Sequence, residues 1–297
     1  MDWQSQLIDI YLTACDFFSQ LSPYIFLKTS PHSSPKFSDP EVITAYVFGI
    51  IQKQRNKKAI HQHIKNYLLN WFPDLPEYEG FLSRINKLDL VLVEFIQFLL
   101  KDKKFQIVKN NPEKITVVDS LPIVLAKGYR AHKCKTANDF ATMGYCSSKK
   151  MYYHGAKFHL LSEYQSGTLP SPKILKVTGA NVHDFTAMKE HFFEIKDSKI
   201  LGDKAYCDKE TKEKLRNKNI ELHTPIKFSK NKKNLAEDEK LYSKIVSSFR
   251  QSIEIYFGWL IEKSDIQNAS KVRSTKGLFV HVFGRFSACL FQYKFTF

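Results

Sequence analysis

Three carboxylates stand out in this sequence for the residues around them. Asp119 closes the β-branched run ITVVDS, and Asp203 closes the apolar run KILGD. A carboxylate at the end of an apolar strand opens to solvent and suits a metal ligand, whereas one buried in mid-strand is costly without a partner. The plainer reading is that each caps the turn after it, a common task for aspartate. Glu254 is the third, set inside FRQSIEIYFGWL between Ile253 and Ile255 and just ahead of Tyr256 and Phe257. That setting predicts a glutamate on the packed side of a helix. Arg250 lies one turn earlier, so an i,i+4 ion pair worth a few tenths of a kcal/mol is one account of it. The other is a site of three acids for two divalent cations, with Arg250 meeting a phosphate. Cations held ~4 Å apart stabilise in-line displacement at phosphorus, so the chemistry on that reading is phosphodiester transfer.

The charge balance fits an anionic substrate. The chain has 297 residues with 45 Lys+Arg against 30 Asp+Glu, a formal net charge of +15. Residues 1–110 hold 13 basic and 11 acidic side chains, so nearly all of the excess falls in 111–297. It is densest over 127–157, with seven basic residues against Asp139, and over 204–233, with ten against four acids. A field of this sign attracts polyanions, nucleic acid first among them, although a well-solvated surface has the same composition.

The elements that must position these residues can be read from periodicity. Trp3–Phe18 reads as a helix. Ser38 and Glu41 form a capping box that starts a second over 40–53. Apolar residues recur at helical spacing from Ile60 to Phe72, stopping at Pro73, and two more helices are expected at 78–88 and 90–101. A soft boundary near 110 ends this all-helical part. Beyond it, ITVVDS reads as a buried strand and 127–150 as an extended loop. Residues 152–164 and 173–180 flank a Gly/Pro/Ser turn and predict a hairpin. Then come a helix over 184–195, the strand SKILGD, a helix over 208–217, the strand IELHTPI and a Lys/Asn-rich loop. A long helix at 237–262 and a closing helix at 275–292 complete the chain. Lys157 and His159 are expected to share the hairpin face opposite its aromatic residues, and His183 with Asp184 reads as a helix start.

Other chemistries find little support. Five widely scattered cysteines read as reduced thiols. His132, Cys134, Cys146 and His154 lack the closely spaced pairs of zinc knuckles. No Walker loop, dinucleotide fingerprint or nucleophile elbow is present. The most apolar run, Leu88–Leu100, contains Asp89 and Glu94 and falls short of the roughly 20 residues that span a bilayer. With an acidic residue at position 2 and no basic flank at the start, the expected location is the cytoplasm, away from membranes.

The order strand-Asp119, hairpin, helix, strand-Asp203, helix, strand, helix-Glu254 resembles the RNase H-like core of DDE transposases from bacterial insertion sequences. VVDS, GAKFH, VTGANVHD, LGDKAY, and R-x-x-x-E followed by FGWL occur in that order. The segments SDPEVITAY and YEGFLSRINKL resemble the helical front end of the insertion-sequence nine-eighty-two family. The resemblance covers residues 38 to 290. It departs at Ala205, where relatives carry Gly, and at Ser247 and Ile261, which stand where the wider signature has Tyr and Lys. Lys263 is the candidate substitute for that lysine.

The resemblance implies an α/β fold: an RNase H-like mixed sheet flanked by helices over 111–297, preceded by an all-helical DNA-binding domain over 1–110. It implies that Asp119, Asp203 and Glu254 are catalytic and hold two Mg²⁺ ions, with Mn²⁺ as a substitute, and that Arg250, Lys204, Lys157, His159 and Lys263 contact DNA. The partners are double-stranded transposon ends and target DNA, the assembly a homodimer or larger, and the location the bacterial nucleoid. The rival readings are a nuclease on the same core that cuts without joining, and a non-catalytic DNA-binding descendant.

Overall fold

The computed structural model describes residues 1–21, 35–102, 105, 114–147, 149–206, 208–226 and 236–296. The chain forms two compact units. The first comprises Met1–Phe105, Lys135–Asp139 and Leu260–Phe297, and the second Gln106–Cys134 and Phe140–Trp259. The Lys/Asn-rich loop expected after residue 226 lies outside the described residues through 235.

The first unit is helical: α1 (Trp3–Gln20), α2 (Asp39–Ile51), α3 (Lys57–Tyr67), α4 (Tyr78–Lys87), α5 (Asp89–Lys101) and α10 (Thr275–Thr296). The capping box forms as expected. Ser38 Oγ accepts from the Glu41 amide, and Glu41 Oε2 accepts from the Ser38 amide at 2.6 Å. Helix α3 stops at Tyr67, short of the Phe72 expected from periodicity, and Phe72 is instead buried from the turn that follows.

A single cut near 110 does not describe these units, because α10 packs against α2, α4 and α5. The physical reason is its apolar circumference: every residue from Val280 to Phe291 is buried, and a helix apolar all round needs neighbours on all sides. Gly284 permits the close approach, since a Cβ there would sit 2.4 Å from the Tyr46 ring. Lys294 Nζ donates to Asp9 Oδ2 at 2.5 Å, tying the two ends of this unit together.

The second unit is built on a six-stranded mixed sheet. Its strands are β1 (Ile115–Lys127), β2 (Thr142–Cys146), β3 (Met151–Glu163), β4 (Ser171–Gly179), β5 (Lys199–Leu201) and β6 (Glu221–His223). They run in the order β2-β3-β1-β5-β6, with β4 also paired to β3. The pairings β1–β3, β2–β3 and β3–β4 are antiparallel, while β1–β5 and β5–β6 are parallel. The hairpin predicted from the sequence is β3–β4. Helices α6 (Tyr129–Lys133), α7 (Asp184–Met188), α8 (Lys209–Arg216) and α9 (Glu237–Ser264) complete the chain. This mixed sheet flanked by helices is an RNase H-like fold.

Two expectations are corrected here. Strand β1 runs eight residues beyond Asp119, so that carboxylate stands in mid-strand and not at a strand end. Alternating burial of Leu121, Ile123 and Leu125 carries the strand onward. Pro122 is tolerated because β5 pairs only Ile115–Val117, which leaves the rest of β1 as an edge where a missing N–H breaks no ladder. The supposed loop over 127–150 contains α6 and β2.

Candidate active site

Strand alternation sorts the side chains around Asp119 onto two faces. Val118 opposes Leu161, and both join a core with Met188, Phe192, Tyr206 and Leu215 on the face covered by α7 and α8. Asp119, one residue on, points to the other face, where α9 brings Arg250 to it. Arg250 Nη2 lies 3.3 Å from Asp119 Oδ2 and 3.5 Å from Glu254 Oε1. One guanidinium nitrogen therefore joins a strand carboxylate to a helix carboxylate 135 residues later in the chain. The i,i+4 pair foreseen in the sequence exists, and Asp119 extends it into a three-membered cluster.

Asp203 reaches the site from the end of β5. Strands β1 and β5 are parallel with Val117 opposite Leu201, and Asp203 follows two residues past the end of β5, near enough for its charge to act on Asp119. The chain leaves β5 at Gly202, which also opens the sheet beside Asp119. Ligands of open α/β sheets collect outside such carboxyl ends of parallel strands. Each aspartate spends one oxygen on local backbone: Asp119 Oδ1 accepts from the Ser120 amide at 2.8 Å and Asp203 Oδ1 from the Ala205 amide at 2.7 Å. The turn-capping role is thus real for Asp203, and it leaves Oδ2 without a hydrogen bond among the described residues.

The electrostatics single out Asp119. Its pKa is raised to about 6, chiefly because burial penalises the carboxylate; Arg250 and the Ser120 amide oppose the shift, while the charges of Asp203 and Asp184 add to it. Arg250 is 14% exposed, and its Nε is buried without a partner among the described residues. Tyr206, two residues beyond the loop's Lys204, is fully buried, its hydroxyl without a hydrogen bond among the described residues, and burial raises its pKa well above the ordinary value. The sequence reading passed over Tyr206; an aromatic residue placed three after a candidate ligand was its only signal.

Other expected residues are placed differently. Glu254 is on the exposed side of α9, at 58%, with Ile253, Tyr256 and Phe257 forming the buried side. The expectation of a packed glutamate is corrected: a single residue's offset along the helix turns it out from under its apolar neighbours. His159, expected at the DNA, is 0% exposed. Its Nε2 bonds Thr178 Oγ1 at 2.8 Å and its Nδ1 lies 3.7 Å from Asp184, while burial lowers its pKa to about 4. Lys157 donates to Asp184 at 3.0 Å and to the Val182 carbonyl at 2.9 Å. Both residues share the parity of Ser120 and so face away from Asp119. Asp184 begins α7 as foreseen, and holding Lys157 is a role that its place in the sequence did not disclose. Lys204 is exposed beside Asp203. Lys263 lies in the first unit, where it pairs with Glu262 at 3.0 Å.

The donor set has the chemistry of a hard-cation site. Carboxylate oxygens suit Mg²⁺ or Mn²⁺, and a cation offsets the cost of ionising the buried Asp119 carboxyl. Among the described residues, no three His, Cys, Asp or Glu side chains stand close enough together to hold an ion as placed. Arg250 occupies the position between Asp119 and Glu254 that a shared ion needs. The residues fit a divalent cation in kind, with the Arg250 contacts as the element that must shift.

The family model of the transposase DDE domain matches residues 109–275, more than half of the chain. The chain belongs to the DDE transposase family. No curated protein and no solved structure matches it. Membership in the DDE transposases implies DNA binding, and DDE transposase domains generally use divalent metal ions. The match takes in all six strands and α6 to α9 of this transposase, including every candidate acid. No helix among the described residues is long and apolar enough to cross a membrane.

Proposed function

We propose that Asp119, Asp203 and Glu254 are the catalytic acids of a transposase that cuts the phosphodiester at its element's ends and joins the freed 3′-hydroxyl to target DNA. The observation that carries this reading is that Arg250 bridges Asp119 to Glu254 while Asp203, just past the strand parallel to β1, acts on Asp119 with its charge. Two Mg²⁺ ions held by the three acids, or Mn²⁺ in their place, supply charge stabilisation at phosphorus and an activated water when bound.

In the first step water attacks phosphorus and the bond to the 3′-oxygen breaks, giving a 3′-hydroxyl and a 5′-phosphate. In the second, that hydroxyl attacks a target phosphorus and displaces the target's own 3′-oxygen. Arg250 is the residue that exchanges partners: its planar fork leaves the two carboxylates for a phosphate of the bound DNA. That exchange frees Asp119 Oδ2 and Glu254 Oε1 as ligands and puts a charge-assisted donor pair on the substrate. Lys204 contributes charge along the DNA path. Lys157 serves as a positioning residue through Asp184, and the helical part holds the DNA. Both ends and the target must be held together, so the working form is a dimer or larger synaptic assembly, at the nucleoid.

Single-turnover cleavage of labelled DNA flanking the gene, with Mg²⁺ against EDTA, tests the assignment. Alanine at Asp119, Asp203 or Glu254 is expected to abolish cleavage while duplex binding persists. Normal cleavage by Asp203→Ala would remove that residue from the site.

A further inference from the structure

A second concentration of unpaired charge lies in the first unit, around a cavity of about 600 Å³. Among the described residues six cations line it, Arg55, Lys57, Lys58, Lys271, Arg273 and Arg285, against a single acid, Asp265. None of the six makes an ion pair with a carboxylate among the described residues. Lys57 Nζ donates to Asn86 Oδ1 at 2.5 Å, and Arg273 turns one nitrogen to the Ser270 and Val272 carbonyls at 2.9 and 2.8 Å. Arg285 is 4% exposed and binds the carbonyls of Ser264 and Arg55 and the His281 ring. A buried guanidinium held by carbonyls and a histidine ring nitrogen meets no counter-charge there, because neutral acceptors neutralise nothing.

The backbone adds to the same field. The first turn of α3, capped by Asn56, and that of α10, capped by Ser274, both line the cavity. Each presents the positive end of a helix dipole. Lys57 sits where the two meet: a Cβ at Gly277, in the first turn of α10, would be 3.9 Å from its Nζ. An ammonium at a helix N-terminus has the wrong sign for that position, and here it also faces Arg285. Burial, then the charge of Arg285, lowers the Lys57 pKa to about 8. The arrangement is one of mutual repulsion in a concave site, and an anion removes it.

We propose that this cavity is a phosphate-binding site that takes the sugar–phosphate backbone of DNA, separate from the carboxylates of the second unit. The volume lies within the range of small-ligand sites, room for a phosphate with its flanking sugars. Backbone amides at helix starts and arginine forks are the donors phosphates use. The choice of DNA over free phosphate rests on the transposase reading; the anion site itself does not.

The test uses the full chain in EDTA, so that binding is read without cleavage. Lys58→Gln combined with Arg273→Gln removes two exposed cations from the cavity and leaves the buried Arg285 in place. Anisotropy of a fluorescein-labelled duplex of arbitrary sequence should then show a Kd raised about tenfold. The slope of log K against log salt should become shallower by about 2, as expected for two lost phosphate contacts. Lys58→Arg with Arg273→Lys should keep the wild-type slope, and melting curves should show all three proteins folded. Inorganic pyrophosphate should raise the melting temperature of the wild type and not of the Gln pair. Unchanged duplex affinity and slope in a folded Gln pair would overturn the proposal. Protection by pyrophosphate with duplex binding unaffected would overturn the DNA occupant, assigning the cavity to a free phosphate. A wild type that binds duplex through these residues but never cleaves would defeat the catalytic reading and leave this site standing.

Discussion

Asp119→Asn should make the metal-free protein more stable at pH 7.5 while abolishing its cleavage. The folded-state pKa of Asp119 is raised to about 6 from an ordinary 3.8, so the fold disfavours the ionised form. That penalty is absent below pH ~4, grows as pH rises through the folded value, and is complete above pH ~7. A shift of roughly two units corresponds to about 3 kcal/mol at 1.36 kcal/mol per unit. Asparagine mimics the protonated carboxyl and escapes the penalty. It also weakens one contact of Arg250, which keeps Glu254 as its partner, so the net gain should be about 1–2 kcal/mol. For a chain of this size that corresponds to a melting temperature higher by about 2–6 °C. Differential scanning calorimetry in EDTA from pH 4 to 8 measures it. The gap between variant and wild type should close as pH falls toward 4. Mg²⁺ should stabilise the wild type by mass action and leave the variant unmoved. A variant less stable than wild type at pH 7.5 would mean instead that the ionised Asp119 is a net stabilising partner of Arg250.

Arg250→Lys should reduce single-turnover cleavage about tenfold or more, since an ammonium cannot reproduce the planar fork, while its melting temperature stays within a few degrees of wild type; equal cleavage would return Arg250 to a purely structural role. Ser38→Ala removes one half of the capping box at α2 and should cost about 1 kcal/mol in urea unfolding. Gly284→Ala places a methyl against Tyr46, 2.4 Å from its ring before relaxation, and should cost about 1–3 kcal/mol as an overpacked core; no change in the urea midpoint would mean that α2 and α10 separate easily.

How much of this was legible depended on whether the deciding forces were local. The capping box of α2, the β3–β4 hairpin and the run of helix α9 follow from nearest neighbours in the chain, and the sequence carries them plainly. The full length of β1 did not show, because Pro122 looks like a strand breaker until β5 is seen to end at Leu201 and leave an edge. The placement of α10 is a tertiary matter. Its apolar circumference announces burial but not which helices will surround it. At the site, the types and order of Asp119, Asp203, Glu254 and Arg250 were readable. Which side of α9 Glu254 faces was not, since Ile253 is buried and Ile255 is 57% exposed although they flank it with identical side chains. His159 shows the limit from the other direction. A histidine beside a lysine in a basic strand resembles a nucleic-acid contact, and only the packing of α7 over that face makes it a core residue.

On the proposed function, Asp119, Asp203 and Glu254 run both cutting and joining. The direct measurement is strand transfer: purified protein, a labelled element end, supercoiled plasmid and Mg²⁺, resolved by gel. The wild type should give plasmid-joined label, and Asp203→Asn, which still binds the labelled end, should give none. Joined product formed at the wild-type rate by Asp203→Asn would contradict the proposed function, as would a wild type that cuts the end and never joins it.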